Sequence, residues 1–145
     1  MIGLLQRVTQ ASVTVNKEVV GQIGAGLLVL VGVQKHDTEQ LAERLIDRLL
    51  GYRVFPDEQG KMNLSLNDTK GGILLVPQFT LAADTQKGMR PSFSSAAPPE
   101  IGERLFNTIV NLARQKHKDV ATGIFGADMQ VALINDGPVT FSLET

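Results

Sequence analysis

The spacing of apolar positions in the first third of the chain predicts β-strands. Ile2–Thr9 is rich in strand-forming residues, and Ala11–Val15 alternates apolar with polar side chains at period two, as a half-buried strand does. Asn16 tolerates a left-handed turn position, so Glu18–Ile23 is expected to return as the second strand of a hairpin. Gly26–Val33 is continuously apolar and bounded by glycine, which predicts a strand buried on both faces.

Two later segments repeat apolar residues at helical spacing. Asp37 is expected to cap the first helix, with Gln40 as its partner in a capping box, and Gly51 is expected to end it. The second helix is expected to begin at Pro98 or Pro99, because proline suits the first turn of a helix. The apolar faces of the two helices are Leu41, Ala42, Leu45, Ile46, Leu49 and Leu50, and then Ile101, Leu105, Phe106, Ile109, Leu112 and Ala113.

Between these helices the pattern predicts two strands and a loop. Tyr52–Phe55 is expected to be a short strand, and Gly71–Leu81 a longer apolar strand that Pro77 interrupts. Because proline cannot donate to a strand ladder, the longer strand is expected at a sheet edge or with a bulge. Asp84–Pro99 is rich in glycine, serine and proline, which predicts a loop.

The end of the chain predicts two closing strands, Met129–Ile134 and Val139–Leu143. The turn-forming residues Asn135–Pro138 are expected to join them. No internal repeat, linker or change of composition divides the chain. We therefore expect a single α/β domain over residues 1–145.

Charge and composition narrow the function classes. The 14 Lys and Arg residues nearly balance the 15 Asp and Glu residues, and a net charge of −1 gives no global basic field for non-specific nucleic-acid binding. A small RNA contact that depends on shape is compatible with this balance. With no Cys and only two His, the chain has no thiolate nucleophile and no Cys-ligated metal centre, and a His-rich metal site is not expected.

Targeting patterns are absent from the sequence. The first ten residues contain no basic leader followed by an apolar core, so no signal peptide is expected. The longest apolar runs, Gly21–Gln34 and Gly71–Ala83, fall short of the roughly 18–20 residues that a membrane span requires. We expect a cytoplasmic protein without a membrane partner.

Familiar catalytic motifs are also missing. The sequence contains no GxSxG, GxxxxGK[ST], HExxH or GxGxxG motif, and neither His36 nor His117 has a titratable partner at a suitable spacing. Two irregular segments are left, residues 77–81 and 135–140. The second favours a tight turn, but a Gly-Pro bond adopts the cis form at low cost, and a rigid turn that presents carbonyl groups is suited to gauging a substrate.

These two segments resemble the signature motifs of the D-aminoacyl-tRNA deacylases. They read Gln78-Phe79-Thr80-Leu81 and Asn135-Asp136-Gly137-Pro138-Val139-Thr140. Shorter matches occur in order at Gln6-Arg7-Val8, Lys61-Met62-Asn63-Leu64, Ala83-Asp84-Thr85-Gln86-Lys87-Gly88, Arg90-Pro91-Ser92-Phe93 and Ala127-Asp128-Met129-Gln130-Val131. The likeness covers essentially all 145 residues, so the chain is identified as a member of this family.

The resemblance implies a fold, an assembly and a reaction. The fold would be a three-layer α/β/β arrangement with mixed sheets and two main helices, and the protein would be a homodimer with active sites at the dimer interface. The reaction would be hydrolysis of the ester that joins a D-amino acid, or glycine, to the 3′ acceptor end of tRNA. No cofactor, metal or DNA partner is implied.

The resemblance also implies roles for individual residues. Phe79 and Thr80 would line the catalytic pocket, with backbone N–H groups polarising the ester carbonyl, and Gln78 would support the pocket. A cis Gly137–Pro138 bond would project into the partner subunit's site, where its carbonyl groups would exclude L-amino acids. The other members of the substrate-binding set would be Arg7, which would brace this turn, Met129 and Asn135.

Several alternatives remain at the level of sequence. The family usually has serine in place of Pro77, and proline here resembles a related branch of relaxed chirality that acts on L-Ala-tRNA. That branch typically lacks Phe79, so we favour the D-specific group. A non-catalytic nucleic-acid-binding dimer of the same fold is a further alternative, against which the net charge weighs. Catalysis assisted by the 2′-hydroxyl of tRNA is favoured over Thr80 as a nucleophile, because no base is expected beside Thr80.

Overall fold

The computed structural model describes residues 1–145 as strands and helices that surround two apolar cores. The helices are α1 (Glu39–Gly51), α2 (Leu66–Thr69) and α3 (Pro99–Lys116), and Phe79–Ala82 forms a short 3₁₀ helix. The strands are β1 (Ile2–Val15), β2 (Glu18–Ile23), β3 (Gly26–Gly32), β4 (Phe55–Pro56), β5 (Met62–Leu64), β6 (Gly72–Pro77), β7 (Val120–Thr122) and β8 (Gln130–Glu144).

Six strands form one mixed sheet that nearly closes on itself. Its order is β2-β1-β3-β6-β7, β8 pairs with the other edge of β1, and β4 and β5 form a separate two-stranded sheet. The strand β1 pairs antiparallel with β2, β3 and β8, whereas β3, β6 and β7 run parallel. The two ends of the sheet approach closely, since a Cβ atom on Gly21 of β2 would lie 2.5 Å from the carbonyl oxygen of Thr122 in β7.

Alternate side chains of the central strands enter two separate cores. Leu27 and Val29 of β3 belong to the larger core, which α1 and α3 cover, whereas Leu28 belongs to a smaller core with Val13 of β1 and Leu74 of β6. The helices therefore cover one face of β3 and β6. The sheet curls back on itself, so that its strands β1, β2 and β8 cover the other face. This arrangement confirms the predicted α/β/β layers, the burial of β3 on both faces and the two main helices.

The predicted hairpin between β1 and β2 is also confirmed. Its turn places Asn16 and Lys17 at φ angles of 49° and 68°, the left-handed region that asparagine tolerates. The predicted cap of α1 is wrong. Thr38 is the N-cap, with its hydroxyl accepting from the Leu41 N–H at 3.3 Å, because Asp37 instead accepts from the N-terminal ammonium of Met1 at 2.7 Å.

The position of Pro77 corrects another expectation. The strand β6 lies between β3 and β7 and is not an edge strand. Pro77 is tolerated because it is the last residue of β6 and lies beyond Leu75, the last residue of β6 that pairs with β7. The apolar run predicted as a strand to Leu81 also ends here, since Phe79–Ala82 is helical.

The end of the chain is one bulged strand and not a hairpin. Both halves of β8 run along β1 in the same direction, with Ile2 opposite Glu144 and Thr14 opposite Gln130, so the predicted turn at Asn135–Pro138 is wrong. The register shifts around Val8, where the extra residues of β8 form a bulge. The short strand predicted at Tyr52–Phe55 is shifted as well, because only Phe55–Pro56 pairs with β5.

Candidate active site

The end of β6 presents backbone N–H groups next to the solvent. The Gln78 N–H donates to the carbonyl of Val31 at 2.8 Å, and the Leu81 N–H donates to the carbonyl of Gln78 at 3.2 Å, which closes the first turn of the 3₁₀ helix. The first N–H groups of a helix have no acceptor within it, so those of Phe79 and Thr80 are left as donors. Both residues are exposed, and their donors can therefore meet a ligand.

The side chains at this turn include no base. The Gln78 Nε2 atom donates to the Thr80 Oγ1 atom at 2.5 Å, and this is the one side-chain hydrogen bond of Thr80. His36 is exposed in the segment before α1, and the His117 ring is bonded to the Gly71 carbonyl at 2.6 Å, at the opposite end of β6. The Thr80 hydroxyl thus accepts from an amide and has no group that would remove its proton.

Met129 lies beside the same strand end. Its sulfur accepts from the Ile124 N–H at 3.4 Å. A Cβ atom on Gly123 would come within 2.7 Å of that sulfur and 3.4 Å of Pro77 Cδ, so Gly123 lets the methionine and the end of β6 approach each other. Met129 therefore joins Gln78, Phe79 and Thr80 in one group, which we call the strand-end group.

A mainly apolar cavity of about 270 Å³ adjoins the strand-end group. It opens between Gln78 and Phe79 on one side and the first turn of α3 on the other. It is below the range of about 300–1,000 Å³ that holds drug-sized ligands, so it suits one flat ring. Its lining residues are Val31, Val33, Pro77, Gln78, Phe79, Ala97, Pro99, Gly102, Phe106, Phe125 and Gly126.

A second group of predicted site residues surrounds the bulge of β8. The peptide bond between Gly137 and Pro138 is cis, and both residues are exposed. The Asn135 side chain spans the bulge, because its Oδ1 atom accepts from the Val139 N–H at 3.0 Å and its Nδ2 atom donates to the Thr140 hydroxyl at 2.9 Å. We call Arg7, Asn135, Gly137 and Pro138 the bulge group.

Arg7 ties the bulge to the rest of the fold. Its Nε atom donates to the Asp136 carbonyl at 3.0 Å, and its Nη1 atom donates to the Val54 carbonyl at 2.6 Å. Its side chain is only 12 % exposed, whereas the Asp136 carboxylate, 3.5 Å away, is 52 % exposed. The arginine therefore acts mainly through two backbone carbonyls, which hold the bulge against the segment after α1.

The structure does not bring the two groups together within one chain. Pro77 and Val31 lie level with Gly3 of β1, whereas Val8 lies opposite Asn135. At about 3.3 Å per residue and about 4.8 Å per strand, the strand-end group and the bulge lie on the order of 20 Å apart. One chain therefore presents two separate groups of predicted site residues on its surface.

Two aromatic residues at the strand end were not among the predicted site residues. Phe93 packs against Phe79 with 5.2 Å between ring centroids and an interplanar angle of 46°. Phe125 lines the apolar cavity. Phe93 belongs to the motif match Arg90-Pro91-Ser92-Phe93, which was the available indication for it, whereas nothing in the local pattern distinguished Phe125.

No three or more His, Cys, Asp or Glu side chains lie together as metal ligands. None of the helices combines the length and the apolar composition that spanning a bilayer requires.

The fold and the site define an α/β protein whose candidate chemistry rests on backbone donors at a strand end. A family model described as D-Tyr-tRNA(Tyr) deacylase matches residues 4–144. A relative from Thioalkalivibrio sulfidiphilus named D-aminoacyl-tRNA deacylase is 64% identical over 144 residues, which are 99% of this chain and 97% of the relative. The chain belongs to the D-Tyr-tRNA(Tyr) deacylase family.

Two solved structures share the fold of this chain. One described as c-Myc DNA Unwinding Element Binding Protein superposes with a TM-score of 0.95 at 42% identity, covering 100% of this chain and 99% of the other. A second, described as a probable eukaryotic D-amino acid tRNA deacylase, has a TM-score of 0.87 at 19% identity, covering 99% and 98% of the two chains. The second likeness concerns the fold alone.

Proposed function

We propose that this chain hydrolyses the ester bond between a D-amino acid and the 3′ end of tRNA, with the strand-end group as the reaction centre. The observation that carries the proposal is the pair of backbone donors at Phe79 and Thr80, beside an apolar cavity and without a side-chain base. Membership of the deacylase family supports the same reaction. No cofactor is required.

In this proposal the backbone stabilises the charge that develops during hydrolysis. Water adds to the ester carbonyl carbon, and the N–H groups of Phe79 and Thr80 donate to the oxygen as it becomes negative. The bond from this carbon to the ribose 3′-oxygen then breaks, and the 3′-oxygen takes up a proton. Donors of this kind typically contribute about 2.7–4 kcal/mol each, so two of them carry a large share of the rate.

The terminal ribose is proposed to supply the proton-transfer group. Gln78 holds Thr80, and the Thr80 hydroxyl has no base, so the protein offers no side chain for this step. The 2′-hydroxyl next to the ester lies within reach of the attacking water. The terminal adenine would occupy the apolar cavity, whose lining includes Phe106 and Phe125.

The bulge group is proposed to select the D-amino acid from a partner subunit in a homodimer. Within one chain the bulge is on the order of 20 Å from the strand end, at strand spacings of about 4.8 Å, so a second copy is needed to complete the site. The exposed carbonyl groups around Gly137 and Pro138 would occupy the space that an L side chain requires. Glycine lacks a side chain and would pass this test, which makes glycine mischarged on tRNA(Ala) a second substrate.

The proposal predicts release of D-Tyr but not L-Tyr from charged tRNA. Acid-precipitable radiolabel on D-Tyr-tRNA, L-Tyr-tRNA and glycyl-tRNA measures the three rates under one condition. Equal rates for D-Tyr and L-Tyr, or no release at all, would overturn the chiral proposal. Activity on L-Ala-tRNA would instead assign the chain to the relaxed branch that Pro77 suggests.

Thr80→Ala is expected to retain activity within about tenfold of the wild-type protein. The substitution removes a hydroxyl that accepts from Gln78, while the backbone N–H of residue 80 stays in place. A covalent nucleophile is needed for its step, and its loss typically removes several orders of magnitude of rate. Single-turnover hydrolysis of D-Tyr-tRNA measures the difference, and inactivity of a folded Thr80→Ala protein would establish the nucleophile role.

A further inference from the structure

The loop after the 3₁₀ helix is a built structure beside the strand-end group. Asp84 and Ser92 exchange two backbone hydrogen bonds, from the Asp84 N–H at 2.8 Å and from the Ser92 N–H at 2.9 Å. The Asp84 carboxylate also accepts from the Gln86 N–H at 2.9 Å. We call residues 84–92 the basic loop, because they carry Lys87 and Arg90 at the exposed tip.

The positive charge of this loop is not neutralised within the chain. Neither Lys87 nor Arg90 forms an ion pair, and both are exposed. Residues 85–99 contain no Asp or Glu, so the tip is locally basic in a chain of net charge −1. The loop therefore offers two free cations to an anionic ligand.

The basic loop is held in a fixed position relative to the strand-end group. The segment that follows it returns to the core, where the Ser95 hydroxyl donates to the Ala82 carbonyl and the Ala97 N–H donates to the Val33 carbonyl at 3.0 Å. Phe93 packs on Phe79 with 5.2 Å between ring centroids. Arg90 is three residues from Phe93, a span of at most about 11 Å of chain.

We propose that the basic loop binds the backbone phosphates of the single-stranded 3′ end of tRNA, with Lys87 and Arg90 as the phosphate contacts. The inference rests on the proposed function, which places the terminal nucleoside at the strand end. The strand that leads to this nucleoside must leave the site over the neighbouring surface, and the basic loop is a cationic surface there. Such contacts position the RNA without reading its sequence.

A second basic surface lies at the far end of α3 and is less suited to this role. Arg114 and Lys118 are exposed there, but α3 has 18 residues and is about 27 Å long, and it begins next to the strand end. Lys116 forms ion pairs with Asp47 at 2.6 Å and with Glu43 at 3.2 Å, and these carboxylates raise its pKa. This surface serves as the control.

The test compares two substrates with the double variant Lys87→Ala/Arg90→Ala. One is D-Tyr-tRNA, and the other is the 3′-D-tyrosyl ester of adenosine, which carries no phosphate. The kcat/KM for the tRNA is expected to fall about 10- to 100-fold, as loss of charge-assisted hydrogen bonds implies, with the nucleoside ester unchanged within about twofold. The slope of log affinity against log salt for uncharged tRNA should fall by about 0.7 for each lost contact.

The matched control is Arg114→Ala/Lys118→Ala, which removes the same charge at the far end of α3. It is expected to behave as wild type on both substrates. Wild-type kinetics for the loop variant on tRNA, an equal loss on both substrates, or an equal loss in the control would each overturn the phosphate role. If the wild-type protein cleaves neither ester, the proposed function fails, and the binding of uncharged tRNA still decides the loop proposal.

Discussion

A D-aminoacyl-tRNA that ends in 2′-deoxyadenosine is expected to be hydrolysed about 100- to 10,000-fold more slowly than the natural substrate, the range that one proton-transfer group contributes. The reason is that the protein has no side-chain base beside Thr80. The Thr80 hydroxyl accepts from Gln78, and His117 is bonded to Gly71 at the other end of β6. The substrate hydroxyl next to the ester is then the group available to move a proton.

Single-turnover rates on matched D-Tyr-tRNA molecules, charged on a ribose or a 2′-deoxyribose terminus, measure this effect. Inhibition of D-Tyr-tRNA hydrolysis by uncharged tRNA that ends in 2′-deoxyadenosine serves as the control. This tRNA should bind nearly as well as uncharged natural tRNA, because the substitution is expected to affect the chemical step and not binding. Comparable rates for the two substrates would show that the protein supplies the group. Together with an inactive Thr80→Ala protein, that result would favour the covalent route.

Gly137→Ala is expected to lower kcat/KM for D-Tyr-tRNA by about 100-fold, the loss that a displacement of about 1 Å in a substrate-positioning element produces. Gly137 has a φ of +137°, which L side chains rarely adopt. An added Cβ atom would also lie 2.7 Å from Val139 Cγ2, 3.0 Å from Val139 N and 3.2 Å from Arg7 Nη2. The bulge must therefore move, and with it the carbonyl groups proposed to gauge the amino acid.

The ratio of D-Tyr to L-Tyr hydrolysis is the second readout for this variant, and it is expected to fall toward one. Gly24→Ala is the matched control, because a Cβ atom there meets nothing within 4 Å. Circular dichroism and the elution volume of each protein establish that fold and assembly persist. A Gly137→Ala protein with unchanged rate and unchanged chiral ratio would remove the bulge from the mechanism.

The fold could be predicted where the pattern was local. The continuously apolar run of β3 and the helical spacing of apolar residues in α1 and α3 are patterns within single segments. The type and the buried face of each segment could therefore be predicted from that segment alone. The bulge in β8 could not be predicted, since Asn, Asp, Gly and Pro favour a turn and a bulge alike. Its pairing with β1, more than 120 residues earlier, decides between them. The same limit applies to the four residues of the 3₁₀ helix, which are too few for a periodic pattern.

For the candidate site, the motifs identified most residues but not their arrangement. Gln78, Phe79 and Thr80 are adjacent in sequence, so their proximity was expected. The position of Met129 near Pro77 depends on how the segment before β8 packs against the end of β6, and the Val54 carbonyl that accepts from Arg7 depends on the path of the chain after α1. Such contacts between distant segments leave no trace in local composition.

The pairing of β1 with β8 has a consequence for how the protein is made. Ile2 lies opposite Glu144 and Thr14 opposite Gln130, so β1 pairs with a strand that is synthesised more than 110 residues later. At about 5–20 residues per second, β1 waits on the order of ten seconds for this partner. During that interval one edge of β1 is open to other nascent chains, and an open strand edge is a template for aggregation. Sheets built from such distant pairings also fold slowly, so we expect the yield of active protein to depend on chaperone supply and on the speed of translation.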